Sequence, residues 1–164
     1  GTEICSWENM RRLMLRVTDY FSGIDDKKTA KNAKQWLLKY GEKKMIAKRY
    51  QASMVNISSP MISDMPSSPS FGNHVEDKMA KAIDECREAE NYMRITEQVI
   101  EGIEDDELKQ LLALKYLKMG NDDISIQATL HMASSTFYDN EINALVVFAF
   151  LFPPYIKQMV VNKS

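Results

Sequence analysis

Cysteine, proline, glycine and histidine are all scarce in this chain of 164 residues, and each scarcity excludes something. Cys5 and Cys86 lie far apart with no Cys-x-x-Cys spacing, so they offer neither a disulfide framework nor a zinc site, and a reducing cytoplasm fits best. Only His74 and His131 titrate near neutrality, and nothing near either completes a catalytic triad; His131 reads as a structural residue of a turn. There is no His-Glu-x-x-His, no Walker loop, no glycine-rich dinucleotide turn and no Gly-x-Ser-x-Gly, so an enzyme is not expected. Long apolar runs are missing as well. A membrane span needs roughly 18 consecutive apolar residues, and the most apolar stretch, Ala144 to Phe152, has about half that. The chain does not open with a charged region, an apolar core and a small-residue cleavage site, so no leader is expected. Metal and cofactor are not expected either. The acidic runs Glu104 to Glu107 and Asp122-Asp123 lack the spaced ligands and glycine of a calcium loop, and acids at helix starts account for them.

What is present is 45% hydrophobic and 27% charged, the balance of a globular chain long enough for one ordinary domain or a compact domain with a helical extension. Charge is unevenly placed. From Lys27 to Arg49 nine basic residues face a single acid, Glu42, whereas from Val75 to Glu107 twelve acids face four bases. A basic arm and an acidic middle can engage different partners, or each other.

Methionine, leucine, alanine, lysine and glutamate dominate and no segment alternates cleanly, so the expected fold is all-α. A short helix is expected around Trp7 to Phe21, ended by Ser22 and Gly23. A second should start near Asp25 or Asp26, with Ala30, Ala33, Leu37 and Tyr40 on one face; Gly41 is a candidate interruption before the pattern resumes to about Tyr50. Residues 1–52 thus form an N-terminal helical region with a basic helix. Residues 53–74, rich in serine and proline, read as a linker whose apolar residues dock partly on a neighbouring surface. Residues 75–164 read as a long helix leading into a C-terminal domain. In the long helix, Val75, Met79, Ala82, Cys86, Ala89, Met93, Thr96, Ile100 and Ile103 follow steps of four and three, a seam that needs a partner from this chain or from a second subunit, hence a homodimer among the candidate assemblies.

Three short helices should follow: Asp106 to about Met119, Asp122 to Leu130, and Ser134 to about Phe152, the last stopped by Pro153 and Pro154. Gly120 suits a positive φ, and Asn121 or Asp122 a helix cap. The last two helices have the makings of a helix-turn-helix. Ile124 and Ala128 are the expected apolar positions of the first helix, Leu130 and Met132 of the turn, and Phe137, Ile142 and Leu145 of the second. Ser134, Ser135 and Thr136 stand where a recognition helix begins, as caps and as phosphate contacts. A plain helical hairpin has the same pattern.

Three stretches carry a resemblance: Ile24 to Tyr40, Ser59 to Asn73 followed by Glu76-Asp77, and Ser134 to Tyr138 continuing to Ala144-Leu145 and Phe148-Ala149. In this order they resemble the ArpU family of phage late-gene transcriptional regulators, related to the autolysin regulatory protein, over roughly residues 20 to 152. The resemblance implies a sigma-like C-terminal helix-turn-helix, sequence-specific binding to double-stranded DNA upstream of late operons, and a bacterial cytoplasm as the setting. On that reading the candidate DNA contacts are Ser134, Ser135, Thr136, Tyr138 and Asn140, and the resemblance implies electrostatic support from the family's lysine-rich start, here Lys31, Lys34 and Lys39. One departure stands out. The family usually has bases after the aromatic pair, but Asp139, Asn140 and Glu141 follow Phe137 and Tyr138 here. From Leu108 to Phe152 only Lys109, Lys115 and Lys118 oppose Asp122, Asp123, Asp139 and Glu141, a poor balance for holding phosphate. The alternative expectation is a protein-interaction module whose acidic helix docks on RNA polymerase or another protein.

Overall fold

A computed structural model describes residues 23–57 and 69–164, with the backbone alone for 53–57 and 69–74. The helix expected around Trp7 to Phe21 lies outside the described residues. Those residues form an all-α fold: α1 (Asp26–Leu38), α2 (Tyr40–Ile57), α3 (Pro69–Glu101), α4 (Asp106–Leu112) running into a π-helical turn (Ala113–Leu117), α5 (Asp123–Leu130) and α6 (Ser134–Leu151). Among the described residues the only strand-like feature is an isolated antiparallel bridge between Ile24 and Asn162.

Asp25 starts α1 as expected, its carboxylate accepting from the Lys28 amide at 3.1 Å. Ala30, Ala33, Leu37 and, just beyond, Tyr40 are buried. The interruption falls at Lys39, two residues before Gly41, which sits inside the first turn of α2. α2 continues past Tyr50 to Ile57, and α3 begins at Pro69 and not at Val75, so the expected linker is helical at both ends. A proline's fixed φ and missing N–H cost nothing in the first turn of a helix, so this punctuation residue acts here as a helix start. The centre of the linker, 58–68, lies outside the described residues.

The seam of α3 finds its partner within the chain. Cys86, Ala89, Thr96, Ile100 and Ile103 are buried, and α2 packs along α3, with Tyr40 donating to Glu97 Oε1 at 2.6 Å and Lys43 meeting Glu88 at 3.0 Å. Trp36 of α1 stacks on Tyr92 at 3.8 Å between centroids and donates from Nε1 to Thr96 Oγ1 at 2.8 Å. Val75, at the far end of the seam, is exposed.

Packing does not follow the division at residues 53–74. Ala30, Ala33 and Leu37 share one apolar cluster with Ile100, Leu111, Phe137, Phe148 and Phe152. Each large apolar side chain buried here contributes about 1.5–3 kcal/mol. The C-terminal tail joins the same body: Met159 is buried, Asn32 Nδ2 donates to the Met159 carbonyl at 3.0 Å, the Val161 amide donates to Thr29 Oγ1 at 3.0 Å, and Asp25 N donates to the Val161 carbonyl at 2.7 Å. The sequence reading stopped at the Pro153-Pro154 break and missed this return.

Candidate functional site

Residues 106–152 fold as a compact three-helix corner. Asp105 caps α4, accepting from the Leu108 amide at 3.1 Å. The chain then loosens into the π-helical turn, which buries Tyr116, and reverses at Gly120 with φ +93°. Asp122 caps α5, accepting from the Ser125 amide at 2.7 Å, and hydrogen bonding from Ser125, its hydroxyl first and then its amide, holds the carboxyl below the ordinary aspartate range. α5 ends at His131, whose φ of 55° lies in the left-handed region. Met132 and Ala133 complete the turn, and α6 begins at Ser134. This is a helix-turn-helix in connectivity.

Several expected positions are reassigned. Ile124 is 77% exposed and Ala128 is exposed, while Ile126 is buried and Leu130 half-buried. Both pairs are spaced by four, so periodicity alone cannot choose between them; the reversal at Gly120 to Asp122 sets the phase of α5. On α6, Phe137 and Leu145 are buried as expected, but Ile142 is exposed and Glu141 faces inward, 6% exposed. Leu130 and Met132 pack against the core, as expected for the turn.

Glu141 is tolerated inside because it is paired, which is the condition for burying a carboxylate. Lys115 Nζ lies 2.7 Å from Glu141 Oε1, and the Tyr116 hydroxyl donates to the same oxygen at 3.0 Å. Lys115 also reaches Asp123 Oδ1 at 3.2 Å. One ammonium thus ties the π-helical turn to the start of α5 and to the third turn of α6. Burial acts to lower the Lys115 pKa, but the two carboxylates outweigh it and hold the ammonium above its ordinary range. Burial first, and then the Glu141 charge, push the Tyr116 hydroxyl well above the usual tyrosine value.

This changes the charge facing solvent. With Asp123 and Glu141 engaged by Lys115 and Asp122 capping α5, Asp139 is the remaining acid on the outer face of α6. Ser134, Ser135, Thr136 and Tyr138 are exposed, as the expected contacts require. Ala133, not a serine or threonine, occupies the cap position, and no side chain caps α6, so the amides of its first turn have no side-chain acceptor of that kind. Ser134, Ser135 and Thr136 are therefore first-turn residues and not the cap. Asn140 is half-buried, its amide turned towards Met132 Sδ at 3.6 Å. Two edges line the exposed face of α6: Ser135, Asp139 and Ile142, and Thr136, Asn140 and Asn143. The steps of four and three from Ser135 and Thr136 were the available signal for Ile142 and Asn143, which the sequence reading did not place there.

The lysines lie on a different helix of the same body. Lys27, Lys31 and Lys34, spaced four and three apart, are exposed along α1, and Lys39 is exposed at the α1–α2 junction. At 100° per residue this stripe sits roughly 100° round the helix from the buried Ala30, Ala33 and Leu37. Among the described residues none of these lysines meets a carboxylate within ion-pair distance, unlike Lys43, Lys109 and Lys115. α1, which carries the stripe, packs along α6. A shallow depression of about 240 Å³ lies where the end of α1 and the start of α2 meet the Lys118–Asn121 loop, lined also by Leu37, Leu38, Gly41 and Tyr116. Among the described residues no group of three or more histidine, cysteine or acidic side chains could hold a metal ion, and no helix is long and apolar enough to cross a membrane.

Comparison with family models, with curated proteins and with solved structures gives no match to this chain.

Proposed function

We propose that this chain is a DNA-binding transcriptional regulator in which α5 and α6 read duplex DNA and the lysine stripe of α1 holds it. One observation carries the reading. The recognition helix withdraws Glu141 into an ion pair and turns outward a face of small hydroxyl and amide residues, Ser135, Thr136 and Asn143, with an uncapped first turn at Ser134 to Thr136. Small polar side chains let a helix approach the major groove closely, and free first-turn amides favour a phosphate. Of the two acids on α6, only Asp139 is thereby left facing outward. Lys27, Lys31, Lys34 and Lys39 supply the sequence-independent attraction that affinity for duplex DNA requires. The resemblance to the ArpU family supplies the setting, regulation of phage or prophage late genes in a bacterial cytoplasm.

The test is binding of the purified chain to its own late-promoter duplex and to random duplex across a salt series. The reading expects affinity for both that falls steeply with salt, with tighter binding to the promoter. Absence of salt-dependent binding to either duplex overturns it.

A second reading rests on the exposed apolar residues of the motif. Ile124, Tyr138 and Ile142 are exposed on α5 and α6, a surface that suits docking on RNA polymerase or another protein as well as contact with thymine methyl groups. Capture of polymerase without DNA, abolished by Ile124→Lys, favours this second reading.

A further inference from the structure

The outer face of α6 divides along its length. At 100° per residue, Tyr138, Ile142 and Ser135 lie within roughly 60° of one another on one edge, and Asn143, Thr136 and Asn140 within roughly 60° on the other, with Asp139 between them. Tyr138 is 47% and Ile142 39% exposed, and the Tyr138 ring is set edge-on to Phe137, with 5.3 Å between centroids. Asn140 is turned to Met132 Sδ, which leaves the half-buried Asn143 as the other amide of its edge.

From Met119 to Leu151, across both helices of the motif, the sequence holds no lysine or arginine. Guanine offers two acceptors in the major groove, N7 and O6, and a bidentate cation is the commonest way of reading them. α6 has no such cation, and the Asp139 carboxylate on its outer face meets guanine's acceptors with like charge. An A·T pair offers what the two edges can take. Its thymine 5-methyl group suits apolar side chains, and an amide can donate to adenine N7 while accepting from N6. Cytosine has an amino donor but no methyl group, so the apolar edge finds nothing to bury against it.

We propose that α6 selects A·T pairs by the thymine 5-methyl group, with Ile142 and Tyr138 as the methyl contacts and Asn143 on adenine N6 and N7. This rests on the reading of α5 and α6 as a DNA-binding motif and names the base pairs that the motif takes.

The test is selection by the full chain from a pool of random duplexes, then binding to the selected duplex and to its copy with uracil for thymine, across a salt series. Uracil lacks the methyl group and keeps every hydrogen-bonding group of thymine. Wild type should select a site rich in A·T pairs and bind the uracil copy about fourfold more weakly for each methyl group contacted, the fold-change from burying one such carbon. Ile142→Ala and Tyr138→Ala, both on the outer face, should bind the thymine duplex more weakly and each lose part of the uracil penalty. Salt-dependent binding with equal affinity for the two copies overturns the methyl readout and leaves the DNA-binding reading standing. A uracil penalty that neither substitution reduces, or a selected site built on G·C pairs, does the same. Absence of salt-dependent binding to any duplex overturns both.

Discussion

Lys115 and Glu141 stand 26 residues apart in sequence and 2.7 Å apart in space, and their pairing accompanies the inward turn of Glu141 on α6. Without the ammonium, Glu141 would be a buried carboxylate held by Tyr116 alone. α6 would have to turn to solvate it, carrying Phe137 and Leu145 out of the core.

Lys115→Met is therefore expected to destabilise the chain by about 3 kcal/mol, the usual cost of leaving one partner of a buried pair. The double change Lys115→Met with Glu141→Leu should recover much of that loss, because replacing both charges removes the unpaired group. Urea unfolding of the single and double variants measures this. A single-variant loss below about 0.5 kcal/mol would show that solvent reaches Glu141 and that the pair does not orient α6.

Stability should fall at alkaline pH. Burial and neighbouring glutamates raise the pKa of Tyr40, Tyr92 and Tyr116 above the ordinary tyrosine value, and Lys115 is raised by its two carboxylates. A group whose pKa is higher folded than unfolded binds more protons in the folded state, so its contribution is full below the unfolded pKa and is lost as pH rises through the folded one. The decline should begin near pH 10, where unfolded tyrosine titrates. Ultraviolet titration should find three of the chain's seven tyrosines silent until unfolding. All seven ionising together in the folded protein would contradict the buried placement.

His131→Gly should stabilise the chain by about 0.5–1 kcal/mol, because a left-handed backbone strains any residue with a Cβ and glycine adopts it freely. Thermal unfolding reads the gain. DNA binding should be unchanged if the role of His131 is only to end α5; weaker binding at equal stability would place its imidazole at the DNA interface.

Asp139 and Glu141 should behave differently towards DNA. Asp139→Asn removes the exposed acid of the outer face and should tighten binding to all duplexes several-fold at low salt. Glu141→Gln should leave the salt dependence unchanged while lowering stability. Neutralising Lys31, Lys34 and Lys39 together should flatten the salt dependence by up to about 0.9 log units for each lost phosphate contact. Asn143→Ala should alter preference at one or two base pairs. Equal effects from Asp139→Asn and Glu141→Gln would mean that Glu141 faces the DNA after all.

The sequence alone determined the all-α class, the starts of α1 and α5 to within one residue, the stop at Pro153, and the buried runs through Ala30, Ala33 and Leu37 and through Cys86, Ala89 and Ile100. These follow from local caps and from spacings of three and four, which the chain carries wherever it folds. Only the tertiary structure decided which of two equally spaced faces α5 buries, that α2 lies along the α3 seam, and that residues 159–162 return to α1. It alone turned Glu141 inward: a glutamate reads as exposed until the lysine that neutralises it is seen beside it, and Lys115 reaches it only through the packing of the π-helical turn against α6. Phase, partner and pairing depend on residues distant in sequence, and no local pattern encodes them.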